Sequence, residues 1–186
     1  MSAKILTLVG SLRAASTNRK LAELATELAP EGVQLDIYDG LDQIPFYNED
    51  IDGDGAPEAA TRLRDAVAAA DAILFVTPVY NGGVPAHLKN AIDWTSRPQG
   101  DDASIAGKPV AAIGTAWGPS GGGFAHEAIR TSVGIAGGVP LADVVVTLPD
   151  SLGRFTETHP REDAEVVEAV RAAVAAVATA ATPAAV

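Results

Sequence analysis

Three short stretches combine glycine with hydroxyl, amide and aromatic side chains in a way that suits a ligand. They are Gly10-Ser-Leu-Arg-Ala-Ala-Ser-Thr-Asn18, Pro78-Val-Tyr-Asn-Gly-Gly-Val-Pro85 and Thr115-Ala-Trp-Gly-Pro-Ser-Gly-Gly-Gly123. The first offers Ser11, Ser16, Thr17 and Asn18 as hydrogen-bond donors, and Arg13 as a forked charge suited to phosphate oxygens. It runs into a helical pattern whose first N–H groups and dipole favour a dianion. It has neither the Gly-Lys-Ser/Thr ending of a P-loop nor the G-x-G-x-x-G of a pyrophosphate cradle. That composition suits the terminal phosphate of a mononucleotide. Ser16 or Thr17 also reads as a plain helix N-cap, which leaves Arg13 and Asn18 unexplained.

The second stretch supplies something flat. Gly82 and Gly83 allow the backbone to turn toward a ligand at close range, and Tyr80 provides an aromatic face beside Asn81. A tight turn with Tyr80 partly in the core is the alternative, with Lys89 and Asn90, on the helix that follows, decorating or bracing it. In the third stretch Thr115, Trp117 and Gly118 can fold over the edge of a planar ring, or form a flexible loop with Trp117 on the surface. Residues 118 to 122 also match the G-x-S-x-G elbow of serine hydrolases around Ser120, with Asp143 or Asp150 and then His159 following in the order of a triad. Against that reading, Ala116 to Pro119 separate Ser120 from the strand end where an elbow serine must sit.

Positioning these loops requires a sheet. Apolar, β-branched runs predict strands at Lys4 to Val9, Val33 to Tyr38, Ala72 to Thr77, Val110 to Thr115 and Ala142 to Thr147. The first, third and fourth are nearly continuous apolar runs, as parallel strands covered on both faces should be. Between them lie helical stripes: Leu21, Leu24, Ala25 and Leu28; Leu63, Ala66, Val67 and Ala70; Leu88, Ala91 and Ile92; Ala125, Ala128 and Ile129. A last stripe runs through Val170, Ala173, Val174 and Val177, and the Ala/Thr/Pro sequence from about 179 to 186 predicts a frayed tail. Five strands alternating with five helices predict one α/β domain over 1–186, with a parallel sheet between helical layers. In such sheets ligands bind beyond the carboxyl ends of the strands, where the strand order reverses, and all three stretches fall there. Residues 39 to 57 form a long unpatterned loop, read as either functional or a surface excursion.

Composition narrows the chemistry. The 186 residues include no cysteine, which excludes disulfides, thiolate metal sites and cysteine nucleophiles. His87, His126 and His159 lack metal-ligand spacing. A net charge of −11 argues against nucleic-acid binding. The opening MSAKILTLVG predicts no secretory leader and no segment reads as a membrane span, so a cytoplasmic protein without membrane insertion is expected.

With these motifs in place, the sequence resembles the NAD(P)H-dependent FMN reductase family, the flavodoxin-like group that includes quinone, azo-dye and chromate reductases. The residues carrying the resemblance are 10–18, Pro78-Val-Tyr-Asn-Gly-Gly-Val-Pro-Ala-His-Leu-Lys-Asn-Ala-Ile-Asp-Trp94, and the glycine-rich loop and helix from Thr115 to about Gly138. The resemblance implies strand order 2-1-3-4-5 and a bound FMN, with NAD(P)H as co-substrate. Ser11, Arg13, Ser16, Thr17 and Asn18 would hold the phosphate. Pro78, Val79, Tyr80, Asn81 and Gly82 would line the isoalloxazine, with Thr115, Trp117 and Gly118 on its other edge. Val79 departs from the glutamate that many members carry there. A homodimer or homotetramer is implied, with loop 39–57, and Phe46 and Tyr47 in particular, placed to cover a neighbour's flavin. The expected activity is ping-pong electron transfer from the nicotinamide nucleotide to a small acceptor such as a flavin, quinone, azo compound or metal oxyanion, with no side chain required as acid or base. The rival reading is a flavodoxin-like electron carrier without turnover of its own.

Overall fold

A computed structural model describes residues 3–53 and 55–182. Strands β1 (Ala3–Val9), β2 (Val33–Ile37), β3 (Ala72–Val76), β4 (Pro109–Thr115) and β5 (Val139–Leu148) form one sheet in the order β2-β1-β3-β4-β5. Every neighbouring pair is parallel, so all five carboxyl ends lie along one edge. The order reverses between β1 and β3, which opens the crevice there.

Helices α1 (Thr17–Glu27) and α6 (Ala164–Ala181) cover one face of the sheet; α2 (Glu58–Ala68), α3 (Ala86–Thr95) and α4 (Gly123–Ile135) cover the other. The two-residue period of a strand explains how one sequence feeds both layers. In β3, Ala72, Leu74 and Val76 face the α1/α6 side, while Ile73 and Phe75 face α2, α3 and α4. All five are fully buried, hence the unbroken apolar run. Burying a side chain such as Leu74 or Phe75 contributes about 1.5–3 kcal/mol, so β3 anchors the site it carries at its end.

The flavodoxin-like order and all five strands agree with expectation; the edges differ. β5 starts at Val139, three residues before the expected Ala142, because Pro140 is tolerated on an edge strand. Its register against β4 shifts between the Val110–Pro140 and Ala112–Val145 pairs. A short helix α5 (Ser151–Phe155), capped by the Asp150 carboxylate on Gly153 N–H, has no counterpart in the helical stripes. Helix α6 continues to Ala181, with Ala178 and Ala181 still packed in the core, rather than fraying from about 179. Residues 183–186 of the expected tail lie outside the described residues.

Candidate functional site

The three glycine-rich loops meet at Thr77, the residue after β3. A Cβ on Gly10 would strike the Thr77 hydroxyl, and one on Gly114 would strike the Thr77 carbonyl. A Cβ on Gly122 would lie 3.3 Å from that same carbonyl. The ends of β1, β3 and β4 therefore close to backbone contact, and only residues without a side chain permit it.

Beside this junction the loop from Ser11 to Ser16 turns into α1. Ser16 caps the helix, its Oγ accepting from Arg19 N–H at 3.3 Å, and Ser16 N–H donates to Arg13 C=O at 3.0 Å. Among the described residues, no protein acceptor takes the N–H groups of Ser11, Leu12, Arg13, Ala14, Ala15, Thr17 or Asn18. Free N–H groups at a helix N-terminus favour an anion. Arg13 is exposed and has no carboxylate within ion-pair distance among the described residues. Ser11 and Thr17 are half-buried.

Asn18 is placed differently from the expectation. Its side chain is buried, donates to Thr115 C=O at 2.9 Å and accepts from Thr115 N–H at 3.0 Å. Both ends of the amide are thus engaged, and Asn18 joins the start of α1 to the end of β4 instead of turning its amide to the loop. Thr115 is likewise occupied: its hydroxyl donates to Leu148 C=O at 2.7 Å, and its backbone holds Asn18. Capping, bracing and free N–H groups coexist in one loop.

On the other side of the junction Pro78 is buried, Val79 half-buried and Tyr80 52% exposed. Tyr80 and Gly83 exchange both backbone hydrogen bonds, at 3.1 and 3.0 Å, around Asn81 (φ 50°) and Gly82 (φ 78°). Positive φ at both central residues is the signature of a type I′ turn, for which Asn-Gly is the favoured pair. The outward N–H groups of Asn81 and Gly82 find no protein acceptor among the described residues. Trp117 stands 75% exposed on the β4 loop, next to half-buried Gly118.

Two residues of the Leu88-to-Trp94 motif have a role that the motif alone did not reveal. Asn90 accepts from Tyr47 N–H at 2.8 Å and donates to Pro45 C=O at 3.0 Å; Trp94 Nε1 donates to the same carbonyl at 2.8 Å. The Tyr47 ring meets Trp94 edge-on at 5.0 Å, and the Arg64 guanidinium lies 5.1 Å over the indole. Loop 39–57 is therefore bolted to α3 at Pro45 and Tyr47, and Phe46 between them points outward, 77% exposed. Asn90 was readable as a brace, but its partner lies 43 residues away in sequence.

Among the described residues no hydrogen bond joins Ser120, His159 and either Asp143 or Asp150 into the triad of the hydrolase reading. Asp150 caps α5, and His159 Nδ1 accepts from Arg161 N–H, each committed to its own neighbourhood. Of the other histidines, half-buried His87 approaches Val9 C=O at 3.3 Å, and burial lowers its pKa. His126 on α4 is buried, and desolvation pushes its pKa down to about 4. No group of three or more His, Cys, Asp or Glu side chains suitable for a metal occurs among the described residues, and no helix there is long and apolar enough to cross a membrane.

A parallel 2-1-3-4-5 sheet with helices on both faces defines a flavodoxin-like fold. The family model for NADPH-dependent FMN reductase matches residues 3–153, and the chain belongs to that family, a family of oxidoreductases. A quinone reductase of Pseudomonas putida is 48% identical over 125 residues, covering 67% of this chain and 66% of the relative. The solved structure of FerB, a flavoenzyme NAD(P)H:(acceptor) oxidoreductase from Paracoccus denitrificans, superimposes with a TM-score of 0.82 at 30% identity, covering 96% of this chain and 97% of FerB. A WrbA-like flavodoxin from Agrobacterium tumefaciens shares the fold, with a TM-score of 0.58 at 22% identity over 97% of this chain and 98% of its own.

Proposed function

We propose that this protein is an NAD(P)H-dependent FMN reductase that passes electrons to a small acceptor of the quinone, flavin, azo or metal-oxyanion type. The observation that carries the reading is the set of N–H groups of Ser11 to Ala15, Thr17 and Asn18 that find no acceptor among the described residues, beside Arg13, which has no ion-pair partner there, on the same sheet edge as the Tyr80–Gly83 turn. The donor set fits a phosphate monoester at one end of the crevice and a flat ring at the other. Ser11, Arg13, Ser16 and Thr17 hold the phosphate through backbone N–H groups, hydroxyls and the guanidinium. Asn18 and Thr115 act behind them, by fixing α1 to β4. Pro78, Val79, Tyr80, Asn81 and Gly82 form one wall of the ring site, and Trp117 and Gly118 the other.

FMN, when bound, supplies the hydride and electron chemistry. This chain binds and orients it, and the N–H groups of Asn81 and Gly82 are the donors available to the ring edge. No side chain at the site is needed to move a proton. One open face serves nucleotide and acceptor in turn, which supports ping-pong kinetics. A homodimer or homotetramer, with Phe46 reaching a neighbour's site from its bolted loop, belongs to the same proposal.

Arg13→Ala tests the phosphate end. Loss of a charged contact should weaken FMN binding by about 1–3 kcal/mol, with stability unchanged because the side chain is exposed. Titration of FMN into both proteins, followed by flavin fluorescence, reads the difference. Equal affinities would remove Arg13 from the site.

A further inference from the structure

We propose that His126 is a positioning residue for this site: a neutral imidazole behind the Thr77 carbonyl that keeps the loops after β3 and β4 closed for the ligand, and that opens them when it takes a proton. The proposal rests on the flavin reading above and deepens it. His126 is 1% exposed, and neither ring nitrogen closes a hydrogen bond within the described residues. A buried polar group left in that state requires an explanation, because leaving it unsatisfied is unfavourable. Its surroundings supply one. The point where a Gly122 side chain would begin lies 3.0 Å from His126 Nε2 and 3.3 Å from Thr77 C=O, so ring, carbonyl and glycine turn occupy one small volume. The Thr77 carbonyl is also the atom against which Gly114 closes. His126 thus stands behind the junction of the site loops.

The charge balance makes the position sensitive to acid. Burial is the main cause of the lowered pKa; the Thr77 and Ile113 carbonyls favour the charged ring but do not offset it. The one charged side chain acting on the ring from its own helix is Arg130, which disfavours protonation and is paired with Glu127 at 3.0 Å. β3 and β4 contribute carbonyls at this point, not carboxylates. An opened or unfolded arrangement binds the proton near the ordinary histidine value of 6.5, whereas the closed one resists it down to about 4. The closed state is therefore fully favoured above the higher value and loses ground as pH falls toward the lower one.

The test uses FMN as probe with the full chain, comparing the unaltered protein with His126→Gln and His126→Leu between about pH 7 and about pH 5. Gln keeps a donor and an acceptor but cannot titrate. The FMN phosphate itself loses charge at about pH 6, so both proteins should bind less tightly as pH falls. The unaltered protein should lose more affinity than the Gln variant, by up to about tenfold beyond it. Leu should weaken FMN binding at neutral pH, and Gln should restore most of it. Parallel loss in the unaltered and Gln proteins would overturn the proposal; so would unaltered binding by the Leu variant. If Leu prevents folding, as circular dichroism would show, the Gln pH series decides by itself. Failure of the unaltered protein to bind FMN at neutral pH would instead remove the flavin reading beneath it.

Discussion

Asn18→Ala should lower the unfolding free energy by about 2–4 kcal/mol, a large effect for one polar side chain. The substitution removes two buried hydrogen bonds and leaves Thr115 N–H and C=O without their partner. Each unsatisfied buried group costs about 1–3 kcal/mol. The consequence reaches the proposed ligand site, because Asn18 connects α1, whose N-terminus is the proposed phosphate cradle, to β4, whose loop carries Trp117 and Gly118. FMN affinity should therefore fall together with stability, unlike Arg13→Ala, where affinity falls and stability does not. Urea denaturation with an unchanged m value and a lower midpoint would show the effect. A midpoint equal to that of the unaltered protein would mean that the Asn18–Thr115 pair braces nothing.

Gly114→Ala has the second large effect, through crowding rather than loss. The added methyl would collide with the Thr77 carbonyl and lie 2.9 Å from Asn18 Oδ1. Neither neighbour can give way easily, since one is backbone and the other is held by Thr115 N–H. Overpacking of this kind costs about 1–3 kcal/mol and displaces whatever shares the junction. FMN affinity should drop more than about tenfold, given that 1.4 kcal/mol of displaced contact already corresponds to that factor. Gly55→Ala is the control: open space surrounds that position, and its stability should match the unaltered protein. If Gly114→Ala bound FMN normally at full stability, the close approach at Thr77 would not matter to the site.

The strands and the three loops at their carboxyl ends were legible in the sequence for related physical reasons. A parallel strand buried on both faces must be apolar throughout, and a loop that approaches a ligand or another backbone must contain glycine. What was hidden depends on long-range partners. Nothing near Asn18 marks Thr115, 97 residues on, as the group that satisfies its amide. Asn90 was readable as a brace and Trp94 only as part of the motif, yet both hold Pro45 C=O, 45 and 49 residues back in sequence. His126 lies beside a regular apolar stripe and carries no local signal of its buried neighbours. Helix α5 is too short to show a period, and Pro140 concealed the start of β5.

A quinone acceptor in place of a protein partner separates the reductase from the carrier reading, and the most direct measurement combines this with cofactor binding. The protein is loaded with FMN, freed of excess, and mixed without oxygen with NADH or NADPH while the visible absorbance of the flavin is followed. Retained flavin, rapid bleaching with at least one nucleotide and full return of colour when a quinone is added are the expected results. A protein that retains no FMN, or whose bound flavin stays oxidised with both nucleotides, would contradict the reductase reading.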